Sequence, residues 1–337
     1  MSHVGIDAAA ESFVASIYHG PVRCITAPHP FANTEQGITQ FGQWLAEQGA
    51  FAANSQIYLE NTGVYTELLC YQLHQRGFSL SLLHPKSLAK AFGGEGPKTD
   101  AIDSRKIAEY GARYSDKLRH WEPQEEIVEQ IRVILSTREQ LVQQKTATQN
   151  TRSALARKVV QTPPANRALE ATLESLQAQI QELEKELRDL IRSHPSLMQG
   201  VALLMSAPGV GWLLSAHFLV MTRGFTEVPN SRRMAQYLGI SPNAHSSGTS
   251  IQRRPRTRRY GPPMVRKLLH LAARSLRTHE ERSRHYFNRK TQEGKPKPLV
   301  LNNIANKLVK QLCAMLRDGT PYQKGHKGLD PRHLALA

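Results

Sequence analysis

Four carboxylates stand where they could bind a metal ion together. Asp7 ends the predicted strand HVGID, and Glu60 ends the predicted strand SQIYLE. Asp100 and Asp103 open a predicted helix three positions apart, which puts both on one helix face. Each acid alone is an ordinary surface or helix N-terminal charge. Together they would repel one another unless a cation neutralised them, and hard divalent ions such as Mg²⁺ or Mn²⁺ prefer such oxygen ligands. The joint pattern therefore predicts a metal site for phosphate chemistry.

The segments around these acids alternate between strand and helix. Residues 3–20 and 22–27 alternate apolar and polar side chains, with Gly and Pro between them, which predicts a β-hairpin or meander. The segments that follow are a helix over 38–48, a strand over 55–60, a helix over 63–77 and a strand over 78–83. This order predicts an α/β domain with a mixed sheet and helices packed on it, as in the ribonuclease-H-like fold.

The positive charge is concentrated in the second part of the 337-residue chain, whose formal net charge is +16. Residues 201–337 hold 24 Lys and Arg against 6 Asp and Glu, whereas the first 200 residues hold 20 against 22. A positive field of this size is typical of a polyanion binder. A solvated basic face is the plainer alternative, and an acidic membrane is a weaker one because no basic amphipathic anchor helix stands out.

Several classes of protein are disfavoured by the same sequence. There is no apolar run of 18 residues and no signal-peptide pattern at the N-terminus, so we expect a cytoplasmic protein without a membrane partner. Cys24, Cys70 and Cys313 are far apart and lack metal-ligand spacing, so we interpret all three as packing residues.

From about Trp121 the sequence changes to long helices rich in Glu, Gln, Arg and Leu. An unbroken a/d seam predicts a coiled-coil helix, separated by Pro163 and Pro164 from a preceding helix over about 124–160. The seam leaves open an antiparallel hairpin within one chain, pairing between two chains, and a helix of an ordinary bundle. Its residues are Leu169, Leu173, Leu176, Ile180, Leu183, Leu187 and Leu190.

Two motifs of the basic part could contact nucleic acid. Pro208-Gly209-Val210-Gly211 joins two apolar helical stretches, as in a helix-hairpin-helix, and its glycines would let backbone N–H groups approach a phosphate. A plain structural turn is the alternative. The arginine-rich segment 252–259 contains Pro255, and we expect it to be an exposed loop or arm on nucleic acid. The predicted contacts are Gly209, Gly211, Arg253, Arg254, Arg256, Arg258, Arg259 and Arg266.

Six segments in order resemble one protein family over nearly the whole chain. They are GID (5–7), LENTGVY (59–65), KTDAIDSRKIAEY (98–110), MSAPGVG (205–211), YLGISPNAHSSGTS (237–250) and GPPMVRKLLHLAARS (261–275). The chain thereby resembles the Piv-like DEDD transposases of bacterial insertion sequences, described as bridge-RNA-guided serine recombinases. It departs from the family at Asn61 after the Glu, and near Pro255 and Arg256, where a Gly-Arg is often found.

The resemblance implies three domains: a RuvC-like DEDD domain (1–120), a coiled coil (121–194) and a mainly helical C-terminal transposase domain (195–337). It implies that Asp7, Glu60, Asp100 and Asp103 form the catalytic metal-binding tetrad and that Ser247 is the nucleophile.

Neighbouring residues blur the assignment of the nucleophile, because Ser246 and Ser250 lie within three positions of Ser247, and His245 could be a base or a plain surface residue. The partners implied are donor and target DNA, a guide RNA and further copies of the chain, as dimers that assemble into tetramers on nucleoid DNA. Two other readings remain: a metal-dependent Holliday-junction-type nuclease without serine catalysis, and a non-catalytic nucleic-acid-binding protein.

Overall fold

The computed structural model describes residues 1–19, 24–93, 99–247, 251–257 and 261–324. The chain divides into two compact units, Met1–Pro123 and Gln124–Ala337. The further division of the second unit at residue 194 stays a prediction. Within the described ranges, no helix combines the length and the apolar character needed to cross a membrane.

The first unit is built on a six-stranded mixed sheet. Its strand order is β3-β2-β1-β5-β6, with β4 also paired to β2. β1 and β2 are antiparallel, whereas β5 and β6 run parallel to β1 and to each other. The strands are β1 (Ser2–Ala8), β2 (Ser12–His19), β3 (Cys24–Ile25), β4 (His29–Ala32), β5 (Ser55–Glu60) and β6 (Ser79–Leu83).

Among the described residues of this unit, four α-helices pack with the sheet, as predicted for an α/β, RuvC-like (ribonuclease-H-like) fold. They are α1 (Glu35–Glu47), α2 (Val64–Gln75), α3 (Pro85–Phe92) and α4 (Asp100–Tyr114). β5 is buried along nearly its whole length, as expected for a strand that lies between two parallel neighbours, β1 and β6. The core includes Val4, Ile6, Ile57 and Leu59 of the sheet and Phe41 of α1.

The second unit is mainly helical, with one two-stranded hairpin. Its order is α5 (Glu126–Leu155), α6 (Pro163–Arg192), α7 (Pro195–Met205), α8 (Trp212–Met221), α9 (Ser231–Tyr237), β7 (Pro242–Ser247), β8 (Ile251–Thr257), α10 (Pro263–His279), α11 (Glu281–Gln292) and α12 (Lys297–Asp318). One core joins α7 to α12 around Phe218, Leu269 and Leu308.

Helices α5 and α6 form an antiparallel hairpin within the chain. Arg138 pairs with Glu184, Lys145 with Gln177 and Arg152 with Glu170, so each step of seven along α5 meets a step of seven back along α6. The seam residues Leu176, Ile180 and Leu187 are buried. Of the arrangements that the sequence left open, this structure contains the one within a single chain. Pro163, expected to separate the helices, is the first residue of α6, where its missing N–H costs nothing.

Most of the arginine-rich segment is a strand rather than the loop that the sequence predicted, whereas its exposure and its contact with nucleic acid stay predictions. Residues 251–257 form strand β8, antiparallel to β7, with Ser247 opposite Ile251 and Pro242 opposite Thr257. Pro255 is tolerated in this strand because it lies at an irregularity of the pairing, where the register shifts between Asn243 and His245. A residue in such a bulge need not donate a ladder hydrogen bond, so the missing N–H of proline costs little there.

Candidate functional site

Asp7 and Glu60 end adjacent parallel strands. The last paired residues of β1 and β5 are Ile6 and Leu59, and the two acids follow them directly. Because the carboxyl ends of parallel strands meet at one edge of a sheet, the two carboxylates leave the sheet side by side. Both residues are partly buried. The structure thus brings together two acids that are 53 positions apart in the sequence.

Helix α4 lies directly against β1. A Cβ on Gly5 would stand 2.2 Å from the backbone nitrogen of Ala108 and 2.3 Å from the carbonyl oxygen of Ser104. The Ser104 hydroxyl is also hydrogen-bonded at 2.9 Å to the Ser16 hydroxyl of β2, in a fully buried position. The absence of a side chain at Gly5 is therefore what allows the helix to sit on the strand.

The direction of α4 carries its first turn toward Asp7. Gly111 packs against the ring of Tyr58, whose hydroxyl is hydrogen-bonded at 2.9 Å to His3 Nδ1 near the start of β1. Gly5, further along β1, meets α4 nearer to its N-terminus. The helix and the strand are thus antiparallel. Two further strand residues cover about 6.6 Å, which matches roughly four helical residues, and this levels Asp7 with the first turn of α4.

Asp100 and Asp103 both lie in that first turn. The Thr99 side chain caps the helix by accepting a hydrogen bond from the Ile102 backbone N–H. The N-terminal end of the helix dipole favours the negative charge of the two aspartates. Asp103 is the more enclosed of the pair, and Lys106 Nζ lies 3.5 Å from its Oδ1. Asp100 is exposed.

These carboxylates converge on one edge without closing into a metal centre. Within the described ranges, no three His, Cys, Asp or Glu side chains are grouped closely enough to hold an ion. The donor set nonetheless fits a hard divalent cation, since every member offers carboxylate oxygens. The sequence reasoning did not single out Lys106 or Gly5, although DSRK and VGID show a cation one turn after Asp103 and a glycine two residues before Asp7.

Ser247 belongs to the second unit. It is the last residue of β7 and pairs with Ile251, so it stands at the turn end of the β7–β8 hairpin. Its backbone is described, but its side chain is not, and Ser250, Arg258 and Arg259 lie outside the described residues. Arg253, Arg254 and Arg256 are in β8.

Two transposase families match this chain in turn. The DEDD transposase family of IS110 elements matches residues 4–160, and the transposase IS116/IS110/IS902 family matches residues 201–288. The chain belongs to the IS110 family of transposases. An IS110-family chain is a DNA transposase or recombinase, and it binds DNA. RuvC-like DEDD nuclease domains generally use divalent metal ions.

Two relatives cover nearly the whole of this IS110-family chain, and others cover less than half of it. The pilin gene-inverting proteins of Moraxella lacunata and Moraxella bovis are each 25% identical to it over 328 residues, covering 96% of this chain and 98% of theirs. The 43.6 kDa protein of insertion element IS110 from Streptomyces coelicolor is 32% identical over 158 residues, covering 46% of this chain and 37% of that protein. The solved structure of T. thermophilus RuvC with a Holliday junction substrate aligns at 10% identity and a TM-score of 0.29, covering 36% of this chain and 100% of RuvC.

The glycines of the α7–α8 turn have different surroundings in this IS110-family chain. Gly209 has a positive φ of 78°, and a Cβ there would stand 3.0 Å from the Ala272 carbonyl oxygen of α10, so packing alone requires glycine. Gly211 caps α8 with extended backbone, and nothing lies within 4 Å of a Cβ built on it. Only Gly211 therefore has open space in front of its backbone. Nucleic-acid contact by either glycine stays a prediction.

Proposed function

We propose that this chain cleaves and exchanges DNA strands with Ser247 as nucleophile, assisted by a metal site of Asp7, Glu60, Asp100 and Asp103, and guided by a non-coding RNA. The observation that carries the proposal is the shared sheet edge: Asp7 and Glu60 end paired parallel strands, and α4 brings the two aspartates of its first turn toward Asp7. Carboxylates grouped in this way repel one another and lower stability unless a cation neutralises them.

The strand exchange is a transesterification in two stages. The Ser247 hydroxyl attacks phosphorus and a phosphoserine bond forms while the phosphodiester bond to the leaving strand breaks. The oxygen of the leaving strand takes up a proton, so that strand departs with a free hydroxyl. The serine proton passes to a base, for which His245 is one candidate in the sequence. A hydroxyl of the other DNA partner then attacks the phosphoserine and releases Ser247, so no external energy source is needed.

The acidic site has a defined part in this scheme. A bound Mg²⁺ or Mn²⁺ would neutralise charge at the scissile phosphate. Asp7 and Glu60 would hold it from the strand ends, and Asp103 from α4, with Lys106 orienting the Asp103 carboxylate until an ion binds. Asp100, which is exposed, would complete the ligand set from the same turn.

We assign DNA and RNA backbone contacts to the basic part of the second unit. Arg253, Arg254 and Arg256 follow one another along β8, Arg258 and Arg259 continue the segment, and Arg266 lies on α10. Guanidinium groups bind phosphate oxygens in a bidentate manner and carry no sequence information by doing so. Sequence choice would then come from pairing with the guide RNA, and DNA binding would keep the protein on the nucleoid.

The nucleophile is tested by trapping the covalent species. A nicked DNA substrate, incubated with protein, metal and the guide RNA, should yield a protein–DNA adduct that is absent with Ser247→Ala. Ser246→Ala is the matched control, since it removes the same hydroxyl one position earlier, and it should retain the adduct. DNA cleavage by Ser247→Ala without any adduct would refute the serine mechanism and favour the metal-dependent junction nuclease.

We also propose that the site is completed between copies of the chain, as dimers that assemble into tetramers on two DNA partners. Asp7→Asn and Ser247→Ala proteins should each be inactive, and a mixture of the two should recover part of the activity. Absence of recovery in mixtures shown to contain mixed dimers would mean that one chain supplies both groups. Purification from cells with and without nuclease treatment, followed by sequencing of bound RNA, tests the guide.

A further inference from the structure

Helix α10 presents a row of basic side chains on its exposed face. Lys267, His270, Arg274 and Arg277 follow one another at spacings of three or four residues, which places them on one side of the helix with about one in each turn. All four are exposed. These four residues form the α10 basic row. The opposite side of the helix is buried in the core of the second unit and consists of Val265, Leu269, Ala272, Ala273 and Leu276.

Among the described residues, the α10 basic row has no carboxylate partner. From residue 195 to residue 279 the sequence contains one acidic residue, Glu227, whose carboxylate lies 3.0 Å from Arg223. None of the ion pairs between described residues involves a member of the row. Cations that the protein does not neutralise itself can bind an anionic partner.

The two acids that directly follow α10 contact other groups. Glu280 accepts a hydrogen bond at 2.8 Å from a backbone N–H in the first turn of α11, and Glu281 lies 3.5 Å from His285 Nε2. Arg277 instead lies over the Phe287 ring, 4.9 Å from its centroid. This cation–π contact positions the C-terminal end of the row without removing its charge.

The length of the row distinguishes a polyanion from a single anion. Lys267 and Arg277 are ten residues apart, which is about 15 Å along the helix axis. One phosphate or carboxylate cannot reach both ends of such a row. One strand of duplex DNA carries a phosphate about every 3.4 Å along its axis, and therefore about four over this length. The row thus fits a chain of regularly spaced anionic groups.

We infer that the α10 basic row binds the phosphate backbone of double-stranded DNA. Proteins that hold single strands combine cations with exposed aromatic side chains on which unpaired bases stack. Helix α10 contains no Phe, Tyr or Trp, and the exposed apolar side chain on the face of the row is that of Leu271, which offers no ring. Cations on a packed helix position the duplex and carry no sequence information by doing so.

The inference rests on the nucleic-acid binding proposed above for the basic part of the second unit, but neither on Ser247 nor on a metal ion. It is therefore tested on the full-length Ser247→Ala chain in EDTA, which cannot cleave DNA by the proposed mechanism. The probe is a fluorescently labelled duplex of about 30 base pairs and arbitrary sequence, whose affinity is measured by anisotropy between about 50 and 200 mM salt. The single strand of the same length and poly-L-glutamate are the comparison probes.

Lys267→Ala combined with Arg274→Ala should weaken duplex binding about tenfold or more and flatten the slope of log affinity against log salt by about 1.8, since each lost phosphate contact contributes about 0.9. Arg167→Ala combined with Lys185→Ala is the matched control. It removes two exposed cations of α6 that also have no ion pair between described residues, and it should leave the affinity and the slope unchanged.

Equal losses in the two double variants would mean that net charge alone matters, and would overturn the inference. A loss for the single strand or for poly-L-glutamate as large as that for the duplex would overturn the assignment to double-stranded DNA. Unchanged duplex binding in the Lys267→Ala, Arg274→Ala variant, with a loss in the Arg253→Ala, Arg254→Ala, Arg256→Ala variant, would refute this inference and leave the proposed function standing. The melting temperature of each variant reports whether it is folded.

Discussion

Gly5 and Ala108 are in backbone contact: a Cβ on Gly5 would stand 2.2 Å from the Ala108 backbone nitrogen. Neither partner can yield by turning a side chain, because the crowded atoms belong to a central strand and to a helix backbone. Asp7 lies two residues after Gly5, and Asp103 lies five residues before Ala108. This contact therefore fixes the separation of two acids on which the proposed metal site depends.

Gly5→Ala should destabilise the first unit by roughly 1–3 kcal/mol, because the added methyl group must push α4 off β1. The measurement is chemical denaturation followed by activity of the folded fraction, which should also fall. Gly42→Ala is the control, since only the flexible Arg76 guanidinium lies near that position, at 3.1 Å, and alanine favours a helix by up to about 1 kcal/mol. Wild-type stability in Gly5→Ala would show that the sheet tolerates the displacement.

Mg²⁺ or Mn²⁺ should raise the melting temperature of the first unit if the acids bind the ion only when folded. At about a hundred times the dissociation constant, the gain is about 2.7 kcal/mol. Asp7→Asn combined with Glu60→Gln should abolish the metal-dependent rise, whereas Glu67→Gln, a carboxylate of α2 outside the proposed site, should retain it. A rise of the same size in the double variant would place the ion elsewhere.

His217 of α8 should make the stability of the second unit fall at acidic pH. Burial and, secondarily, the nearby Arg138 guanidinium lower the pKa of His217 to about 4, against an ordinary value of 6.5. The unfolded chain therefore binds the proton first as pH falls, and stability is lost progressively from about pH 6.5 down to about pH 4, by up to about 3 kcal/mol. Urea denaturation between pH 7 and pH 5 measures the loss.

His217→Gln should flatten that pH dependence, although the substitution itself costs stability at pH 7. His270→Gln serves as the matched control because His270 is exposed on α10. An equal pH slope in wild type and His217→Gln would assign the acid sensitivity to other groups.

Substitutions in the α7–α8 turn should separate packing from nucleic-acid contact. Gly209→Ala should lower stability by roughly 1 kcal/mol or more, because alanine disfavours a φ of 78° and its methyl group meets α10. Gly211→Ala has space for its methyl group and a negative φ, so its melting temperature should stay close to that of the wild type. Reduced DNA affinity in Gly211→Ala at unchanged stability would support phosphate approach at this turn; unchanged affinity would leave it a plain structural turn.

The sheet was predictable where strands are regular, and not where they are short. Alternation located β1 and β2, and the segment SQIYLE was recognised as the short strand β5. Strand β4 (His29–Ala32) has four residues, one of them Pro30, and pairs only with β2, so neither its length nor its pattern marks it. Helix α3 has eight residues, which are too few to repeat the helical spacing of apolar side chains by which helices are recognised.

The residues of the candidate site could be proposed from the sequence, but their arrangement could not. The positions of Asp7 and Glu60 at strand ends follow from local patterns, whereas their pairing depends on the β1–β5 register, which is a long-range property. Strand β8 was missed because its three arginines and Pro255 resemble a solvated loop, and the strand becomes apparent only from its pairing with β7. The heptad seam of α6 did not identify its partner helix, because the same a/d pattern packs equally well against a helix of the same chain or of another chain.

The α5–α6 hairpin is long enough that a small rotation at one end produces a large displacement at the other. Thirty residues of helix extend about 45 Å, so one degree of rotation at its base moves its tip by about 0.8 Å. The base is clamped by the buried residues Val128, Ile131, Leu187 and Ile191 against α7 and α8, while Val159 and Val160 at the tip are almost fully exposed. The position of the tip therefore depends on the packing at the opposite end of the hairpin. A small rotation there, caused by one methyl group gained or lost in the buried cluster, would displace the tip by ångströms.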